Sequence, residues 1–131
     1  MIERLRNRIT KSEGQGGFTL IELLVVVIII GILLAIAVPS YLNFKQNASR
    51  KAAAANVRAA VPAVENYFAD NNSYAGMTPA NLRSTYDQGI SSSLVVRTAT
   101  ATSYCIQDTV GGQNARKNGP GARVEEGQAC P

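Results

Sequence analysis

The longest apolar stretch of the chain lies close to its N-terminus, at residues 18–38. Thr19 and Glu22 carry the only polar side chains among these 21 residues, and the 16 positions from Leu23 onward carry none. An α-helix rises about 1.5 Å per residue, so about 20 apolar residues cross the roughly 30 Å hydrocarbon core of a bilayer. The pattern therefore predicts a membrane-spanning helix.

Helical periodicity continues beyond this run. Apolar or small side chains recur every three or four residues at Tyr41, Phe44, Ala48, Ala52, Ala55 and Ala59. A further stripe needs apolar cover from elsewhere in the chain, and it consists of Val57, Val61, Val64 and Phe68. We expect one helix from about Thr19 to Ala69, kinked rather than ended at Pro39 and Pro62, because each proline removes one internal hydrogen bond.

The C-terminal half is more polar and predicts shorter elements. Polar residues and Gly76 are expected to end the long helix, and Thr78 with Pro79 to begin a short one that reaches about Ser84. Strand-like patterns follow at residues 94–96 and 98–102, at 104–110 and near 122–125, with turns at 111–112 and 118–121. The predicted fold class is α+β, in which the long helix packs on a small antiparallel sheet of three or four strands.

Composition excludes several kinds of chemistry. The 131 residues include no histidine and two cysteines, so histidine-based zinc sites, Ser-His-Asp triads and Cys-His dyads are excluded. Asp108, Glu125 and Glu126 match no calcium-loop spacing and are interpreted as a solvated acidic surface. We therefore predict no catalytic, cofactor-binding or metal-binding residue, and a chain that is not an enzyme.

Charge is distributed unevenly along the chain. Four basic residues precede the apolar run, namely Arg4, Arg6, Arg8 and Lys11, and this bias predicts an N-terminus on the cytoplasmic side. From Phe18 onward nine basic and seven acidic residues remain, too small an excess to indicate a nucleic-acid partner. Arg116 and Lys117, in a predicted turn, form the best exposed basic pair for an anionic surface.

The apolar run allows a second interpretation. Ala35, Ile36 and Ala37 match the small-residue cleavage site of a signal peptide, which would release a small secreted binding domain starting at Val38. The length of the run and the carboxylate of Glu22 weigh against this. A carboxylate at membrane depth costs at least a few kcal/mol, so its presence indicates a function and a partner.

The sequence GGFTLIE at residues 16–22 resembles the processing motif of type IV prepilins, and residues 64–74 show a looser resemblance to pilins. The resemblance implies that a basic leader, residues 1–17, is cleaved after Gly17 and that Phe18 is then N-methylated. It also implies that Glu22 pairs with the α-amino group of Phe18 in a neighbouring copy. Residues 18–39 become the transmembrane and filament-core half of the helix, 40–70 its amphipathic half, and 71–131 a small globular domain.

By the same resemblance, the chain is a structural subunit of a type IV pilus that polymerises through its N-terminal helix. Its implied partners are further copies of itself, a prepilin peptidase, a platform membrane protein and assembly ATPases. It would be a single-pass inner-membrane precursor before it joins an extracellular filament. The alternatives are a pseudopilin or minor pilin of a secretion or DNA-uptake system, and an anchored domain that never polymerises. The motifs do not distinguish adhesion, motility, DNA uptake and conduction.

Cys105 and Cys130 form an even pair in a segment predicted to lie outside the cytoplasm, where a disulfide persists. Pilins resemble this arrangement in their disulfide-bounded C-terminal region. We expect the two cysteines to be bonded. Closing a loop of about 25 residues would contribute roughly 3.5 kcal/mol in the loop-entropy model.

Overall fold

The computed structural model describes residues 17–131, so the predicted leader lies outside the described residues except for Gly17. The chain divides into two compact units, Met1–Tyr41 and Leu42–Pro131. One helix, α1 (Leu20–Asn71), contributes residues to both units. In the first unit, the described residues belong to α1 and the three residues before it.

The bounds of α1 lie within two residues of those predicted. The helix continues through Pro39 and Pro62, so neither proline ends it, and the kinks at these positions stay a prediction. The Phe68 carbonyl accepts a hydrogen bond from the amide of Asn72 at 2.7 Å. Asn72 itself has a φ of 51°, and a left-handed residue just past the last turn is a common way for a helix to end.

A short helical segment follows the long helix. Helix α2 (Pro79–Asn81) continues directly into a π-helical turn, Leu82–Tyr86. The hydroxyl of Thr78 accepts the amide hydrogen of Asn81 at 3.2 Å, which confirms the predicted N-cap with proline at the first helical position. The segment extends two residues past the predicted end at Ser84.

Four strands form one antiparallel sheet with neighbours in chain order: β1 (Val95–Ala99), β2 (Tyr104–Val110), β3 (Gln113–Asn118) and β4 (Val124–Glu126). A bulge interrupts the pairing of β1 with β2 between Val96 and Thr98. The α+β class is confirmed. The prediction did not identify β3, which is polar except for Ala115 and pairs with every residue of β2 except Tyr104.

The core of the second unit lies between the later half of α1 and one face of the sheet. The helix supplies small and branched side chains, of which the buried ones are Ala53, Ala54, Val57, Ala60, Ala63 and Val64. The sheet supplies Tyr104, Ile106 and Ala115, and the connecting segment supplies Tyr74, Met77, Leu82, Ile90 and Leu94. Small helix residues let the helix approach the sheet closely. At the turn after β2, Gly111 has a φ of 54°, and the Ser49 hydroxyl lies too close to the position that a Cβ atom would take for a side chain to fit there.

Asp108 is fully buried in this core, so its assignment to a solvated acidic surface is wrong. One carboxylate oxygen accepts hydrogen bonds from the hydroxyls of Ser91 (3.2 Å) and Ser93 (2.5 Å). The other accepts a hydrogen bond from the side-chain amide of Asn56 at 2.6 Å. A buried carboxylate is tolerated where its oxygens are hydrogen-bonded. Asp108 therefore joins α1, the segment before β1 and strand β2 through one side chain.

Tyr104 and Tyr74 contact each other in the core, with ring centroids 4.7 Å apart, but their hydroxyls differ. The Tyr74 hydroxyl lies 3.2 Å from both carboxylate oxygens of Glu65. The Tyr104 hydroxyl is buried and has no hydrogen-bond partner among the described residues. Burial raises the pKa of Tyr104 well above its usual range and, together with the charge of Glu65, raises the pKa of Tyr74.

We predict opposite effects for removing the two hydroxyls. Tyr104→Phe removes a buried group without a partner, so the free energy of unfolding should stay unchanged or rise by up to about 1 kcal/mol. Tyr74→Phe removes the hydrogen bond to Glu65 and should lower the free energy of unfolding by about 1 kcal/mol. Denaturant unfolding of the purified chain in detergent measures both. A clear loss of stability in Tyr104→Phe would contradict the unpartnered hydroxyl.

Tyr104→Phe should also change how stability depends on pH. An unfolded tyrosine ionises near pH 10, whereas a raised pKa keeps Tyr104 protonated in the folded chain. The stability that this pKa difference contributes is fully present below about pH 10. Stability falls as the pH rises above that value, because only the unfolded state then releases the tyrosine proton. Tyr104→Phe should therefore lose less stability than the wild type between about pH 9 and pH 11.

Candidate functional site

The predicted processing bond between Gly17 and Phe18 lies in an exposed, non-helical segment directly before α1. Nothing lies within 4 Å of the position that a Cβ atom would take on Gly17. The first helical residue, Leu20, is three positions beyond Gly17. A peptide bond in exposed, irregular backbone is accessible to a peptidase, whereas a bond inside a helical turn is not.

Thr19 and Glu22 form a reciprocal pair of hydrogen bonds at the start of α1. The amide of Thr19 donates to a carboxylate oxygen of Glu22 at 3.0 Å. The amide of Glu22 donates to the hydroxyl of Thr19 at 3.3 Å. These bonds form a capping box, which satisfies two amides that the helix leaves without an internal partner. The threonine and the glutamate stand three residues apart in the sequence, as this motif requires. The predicted partner of Glu22 was the α-amino group of Phe18, and the bond to Thr19 was not predicted.

The capping box holds the Glu22 carboxylate at the amide of Thr19, the residue that follows Phe18. One carboxylate oxygen accepts the Thr19 amide, and the other accepts no hydrogen bond from the described residues. Negative charge at a helix N-terminus is favourable, because the free amides there carry partial positive charge. In the uncleaved chain the nitrogen of Phe18 belongs to a peptide bond. The predicted pairing of Glu22 with an α-amino group therefore requires the Gly17–Phe18 bond to be cut first.

The helix beyond Glu22 presents apolar side chains on every side. All described residues from Gly17 to Ala48 are exposed, and the large aliphatic side chains from Leu20 to Val38 are each about half exposed or more. This helix contains the one segment among the described residues that is long and apolar enough to cross a membrane. An apolar surface of this extent requires lipid or protein to cover it.

The residue after Pro39 is a serine whose hydroxyl binds within the helix. The hydroxyl of Ser40 donates a hydrogen bond to the carbonyl of Ile36 at 3.2 Å. Such back-bonding by serine satisfies the hydroxyl within its own helix. The Ser40 hydroxyl therefore has a hydrogen-bond partner within the helix.

The disulfide between Cys105 and Cys130 is present, with the two Cα atoms 6.0 Å apart. Cys105 lies in β2, and the C-terminal tail is held beside it by two further contacts. The side-chain oxygen of Gln107 accepts the amide of Cys130 at 2.8 Å, and the guanidinium of Arg116 donates to the carbonyl of Ala129 at 2.8 Å. The tail is therefore held on the sheet by hydrogen bonds between its backbone and two side chains of the sheet, as well as by the disulfide.

The predicted exposed basic pair, Arg116 and Lys117, is wrong in its placement. Both residues lie in strand β3 rather than in a turn. The guanidinium of Arg116 pairs with Glu125 at 2.6 Å. Lys117 is buried, and its ammonium donates to the carbonyls of Pro120 (3.1 Å) and Ala122 (2.6 Å). The hydrogen bonds of both cations are thus used within the fold.

Comparison with known proteins relates the N-terminal region to a described motif. A family model for the prokaryotic N-terminal methylation motif matches residues 14–38. The chain is 40% identical over 98 residues to the type IV wide pilus major component PilA4 of Thermus thermophilus, and the alignment covers 72% of each chain. The alignment with PilA4 therefore extends well beyond the methylation motif.

Two further relatives align over a shorter stretch. The type IV major pilin protein PilA of Myxococcus xanthus is 42% identical over 64 residues, which are 49% of this chain and 29% of that protein. The type II secretion system core protein G of Aeromonas hydrophila is 40% identical over 64 residues, or 49% of this chain and 45% of that protein. The chain thus spans less than half the length of these two relatives.

We predict that reduction of the disulfide lowers the free energy of unfolding by roughly 3.5 kcal/mol, because it frees a loop of 25 residues in the unfolded chain. Denaturant unfolding with and without reductant measures the difference. The double variant Cys105→Ala with Cys130→Ala is the control and should not respond to reductant. A shift below about 1 kcal/mol in the wild type would show that the hydrogen bonds of the tail, not the disulfide, hold it.

Proposed function

This chain belongs to the type IV pilin family, and we propose that it is the precursor of a structural subunit that polymerises into a type IV pilus. The observation that carries the proposal is the exposed apolar surface of α1, with one carboxylate, Glu22, at its N-terminal end. A membrane covers this surface before assembly. The helices of neighbouring copies cover it afterwards.

Processing prepares the subunit for this exchange. A prepilin peptidase cuts after Gly17 and removes the leader, and the new N-terminal residue Phe18 is then N-methylated. The cut creates an α-amino group directly before the capping box. The methylated amine keeps its positive charge, so it remains a partner for a carboxylate.

Charge pairing sets the register between copies. In a filament of parallel helices, the amine of Phe18 in one subunit approaches Glu22 of its neighbour, and the pair neutralises two charges inside an apolar core. A subunit docked in the wrong register leaves an unpaired buried charge, which costs more than a correct pair gains. Apolar contacts supply attraction without direction, and the charge pair supplies the register.

Assembly requires further proteins and a source of work. Transfer of the apolar helix from lipid to the filament is nearly neutral, because both environments are apolar. We propose that assembly ATPases drive the step through a platform membrane protein. The subunit moves in this way from the inner membrane to an extracellular filament.

The family resemblance also supports a second candidate in the same class, a pseudopilin of a type II secretion system or a minor pilin. The alignment with core protein G of the Aeromonas hydrophila system is the observation that favours it. The longer alignment with the Thermus pilus component and the disulfide-bounded C-terminal region favour the major pilin. In both cases the chain acts as a structural subunit rather than as an enzyme.

The assembly role of Glu22 is tested by two substitutions that separate its charge from its capping role. Glu22→Ala removes both the charge and the hydrogen bond to the Thr19 amide. Glu22→Gln removes the charge but keeps an acceptor suited to a capping box. Both variants should reduce surface filaments at least about tenfold, since charge pairing sets the register.

Filaments are counted by shearing cells and immunoblotting the released fraction. Membrane fractionation of the same cells shows whether each variant still inserts, and both variants should. Wild-type filament yield from Glu22→Gln, with loss only in Glu22→Ala, would assign the defect to helix capping and contradict the charge mechanism.

A further inference from the structure

The exposed apolar surface of α1 does not end at Pro39. Tyr41 is 63% exposed, Leu42 50% and Phe44 72%. No charged side chain occurs between Glu22 and Lys45, so these two residues bound the uncharged part of the helix. Among the described residues after Pro39, these three and Val95 are the large hydrophobic side chains that remain exposed.

The residues around Pro39 do not prevent lipid from covering this extension. Proline has no amide hydrogen to satisfy, and the Ser40 hydroxyl is bound to the carbonyl of Ile36. Asn43 is exposed, and it lies between Leu42 and Phe44, two positions before Lys45. An amide in this place is suited to the headgroup layer, where water and phosphate are available.

The order of side chains from Tyr41 to Lys45 is typical of a membrane interface. Tyrosine and other amphipathic aromatic residues are enriched at the level of the headgroups, and a lysine beside them extends its ammonium toward phosphate. The basic residues before the apolar run predict that the other end of the helix lies on the cytoplasmic side. Tyr41, Phe44 and Lys45 therefore correspond to the outer face of the same membrane.

The spacing along the helix then fixes the position of Glu22. Glu22 and Lys45 are 23 positions apart, which corresponds to about 35 Å of helix. Counting about 20 residues, or roughly 30 Å, back from Tyr41 and from Phe44 gives Ile21 and Leu24. Glu22 lies between these two residues, at the cytoplasmic boundary of the hydrocarbon. If the outer boundary of the hydrocarbon were at Pro39, the same count would place its cytoplasmic boundary at Thr19. Glu22 would then lie about three residues inside the hydrocarbon.

We propose that Tyr41, Phe44 and Lys45 form an interface belt that binds the lipid headgroups of the outer leaflet and holds Glu22 at the cytoplasmic boundary of the membrane. This inference rests on the proposed function, in which the precursor waits in the membrane. The belt spares the precursor the cost of a carboxylate in hydrocarbon, which is at least a few kcal/mol. It also keeps the Gly17–Phe18 bond outside the hydrocarbon.

The chain contains no tryptophan, so single substitutions provide depth probes without background. We would reconstitute the full precursor in vesicles of phosphatidylethanolamine and phosphatidylglycerol, with acyl chains brominated either near the headgroup or near the chain end. Phe44→Trp tests the belt, Leu33→Trp the middle of the uncharged stretch between Glu22 and Lys45, and Val95→Trp the globular surface. We expect quenching mainly by the shallow bromines in Phe44→Trp, mainly by the deep ones in Leu33→Trp, and by neither in Val95→Trp.

The outcomes separate the belt from the membrane anchor. Quenching in Leu33→Trp without quenching in Phe44→Trp would overturn the belt and leave the anchor intact. Absence of quenching in Leu33→Trp would instead overturn the anchor and with it the proposed precursor. Emission from Phe44→Trp that shifts with protein concentration but ignores brominated lipid would show a second copy at this surface, and would also overturn the belt.

The height of Glu22 has its own readout. Leu24→Trp places a probe one half-turn from the carboxylate, and it should be quenched mainly by shallow bromines. Adding Tyr41→Ser and Phe44→Ser removes both aromatic residues of the belt, so the helix should move outward and the same probe should shift to quenching by deep bromines. An unchanged profile in the triple variant would show that the belt does not set the position of Glu22.

Discussion

The structure depends on one constraint, which is that the first half of α1 has no apolar cover from the described part of its own chain. Its aliphatic side chains are exposed around the whole circumference of the helix. The hydrophobic effect favours any environment that removes this surface from water, whether lipid or other helices, and does not distinguish between orientations. Polar groups near the ends of the run must therefore supply position and register, and we assign these roles to Thr19 and Glu22 at one end and to Tyr41 and Lys45 at the other.

The second half of α1 has a different environment, because the globular unit supplies its own core. Ala53, Val57 and Val64 are buried against the sheet and the connecting segment. Asp108 adds a polar connection, since its carboxylate binds Asn56 on the helix and two serines before β1. The disulfide and the contacts of Gln107 and Arg116 fix the C-terminal tail. This unit can keep its fold while the exposed half of the helix changes its surroundings.

The elements that depend mainly on local sequence were predicted correctly. Helix α1, the Thr78 cap and strand β2 follow from periodicity and from capping residues, and the cysteine pair followed from its even count and expected location. Strand β3 was missed because its side chains show no apolar alternation, and its place is set by pairing with β2. The burial of Asp108 depends on Asn56 in α1 and on Ser91 and Ser93 before β1, which are distant from it in the sequence, so no short window of sequence contains the signal.

The capping box shows a different limit. Its two residues were both identified, but an isolated carboxylate in an apolar run was assigned to a neighbouring subunit, and its bond within the chain was overlooked. The structure shows that Glu22 already has a partner before any filament exists, through the amide of Thr19. The two roles are compatible, because one carboxylate oxygen binds the Thr19 amide and the other accepts no hydrogen bond from the described residues.

The central claim is that cleavage after Gly17 converts a membrane-anchored precursor into a filament subunit. Intact mass of protein sheared from the cell surface, measured without reductant and with fragmentation of the N-terminal peptide, tests it most directly. The account predicts a chain that begins at Phe18, carries one additional methyl group on its amine and lacks two hydrogens because of the disulfide. A chain that begins at Val38 would identify a secreted domain and contradict the account.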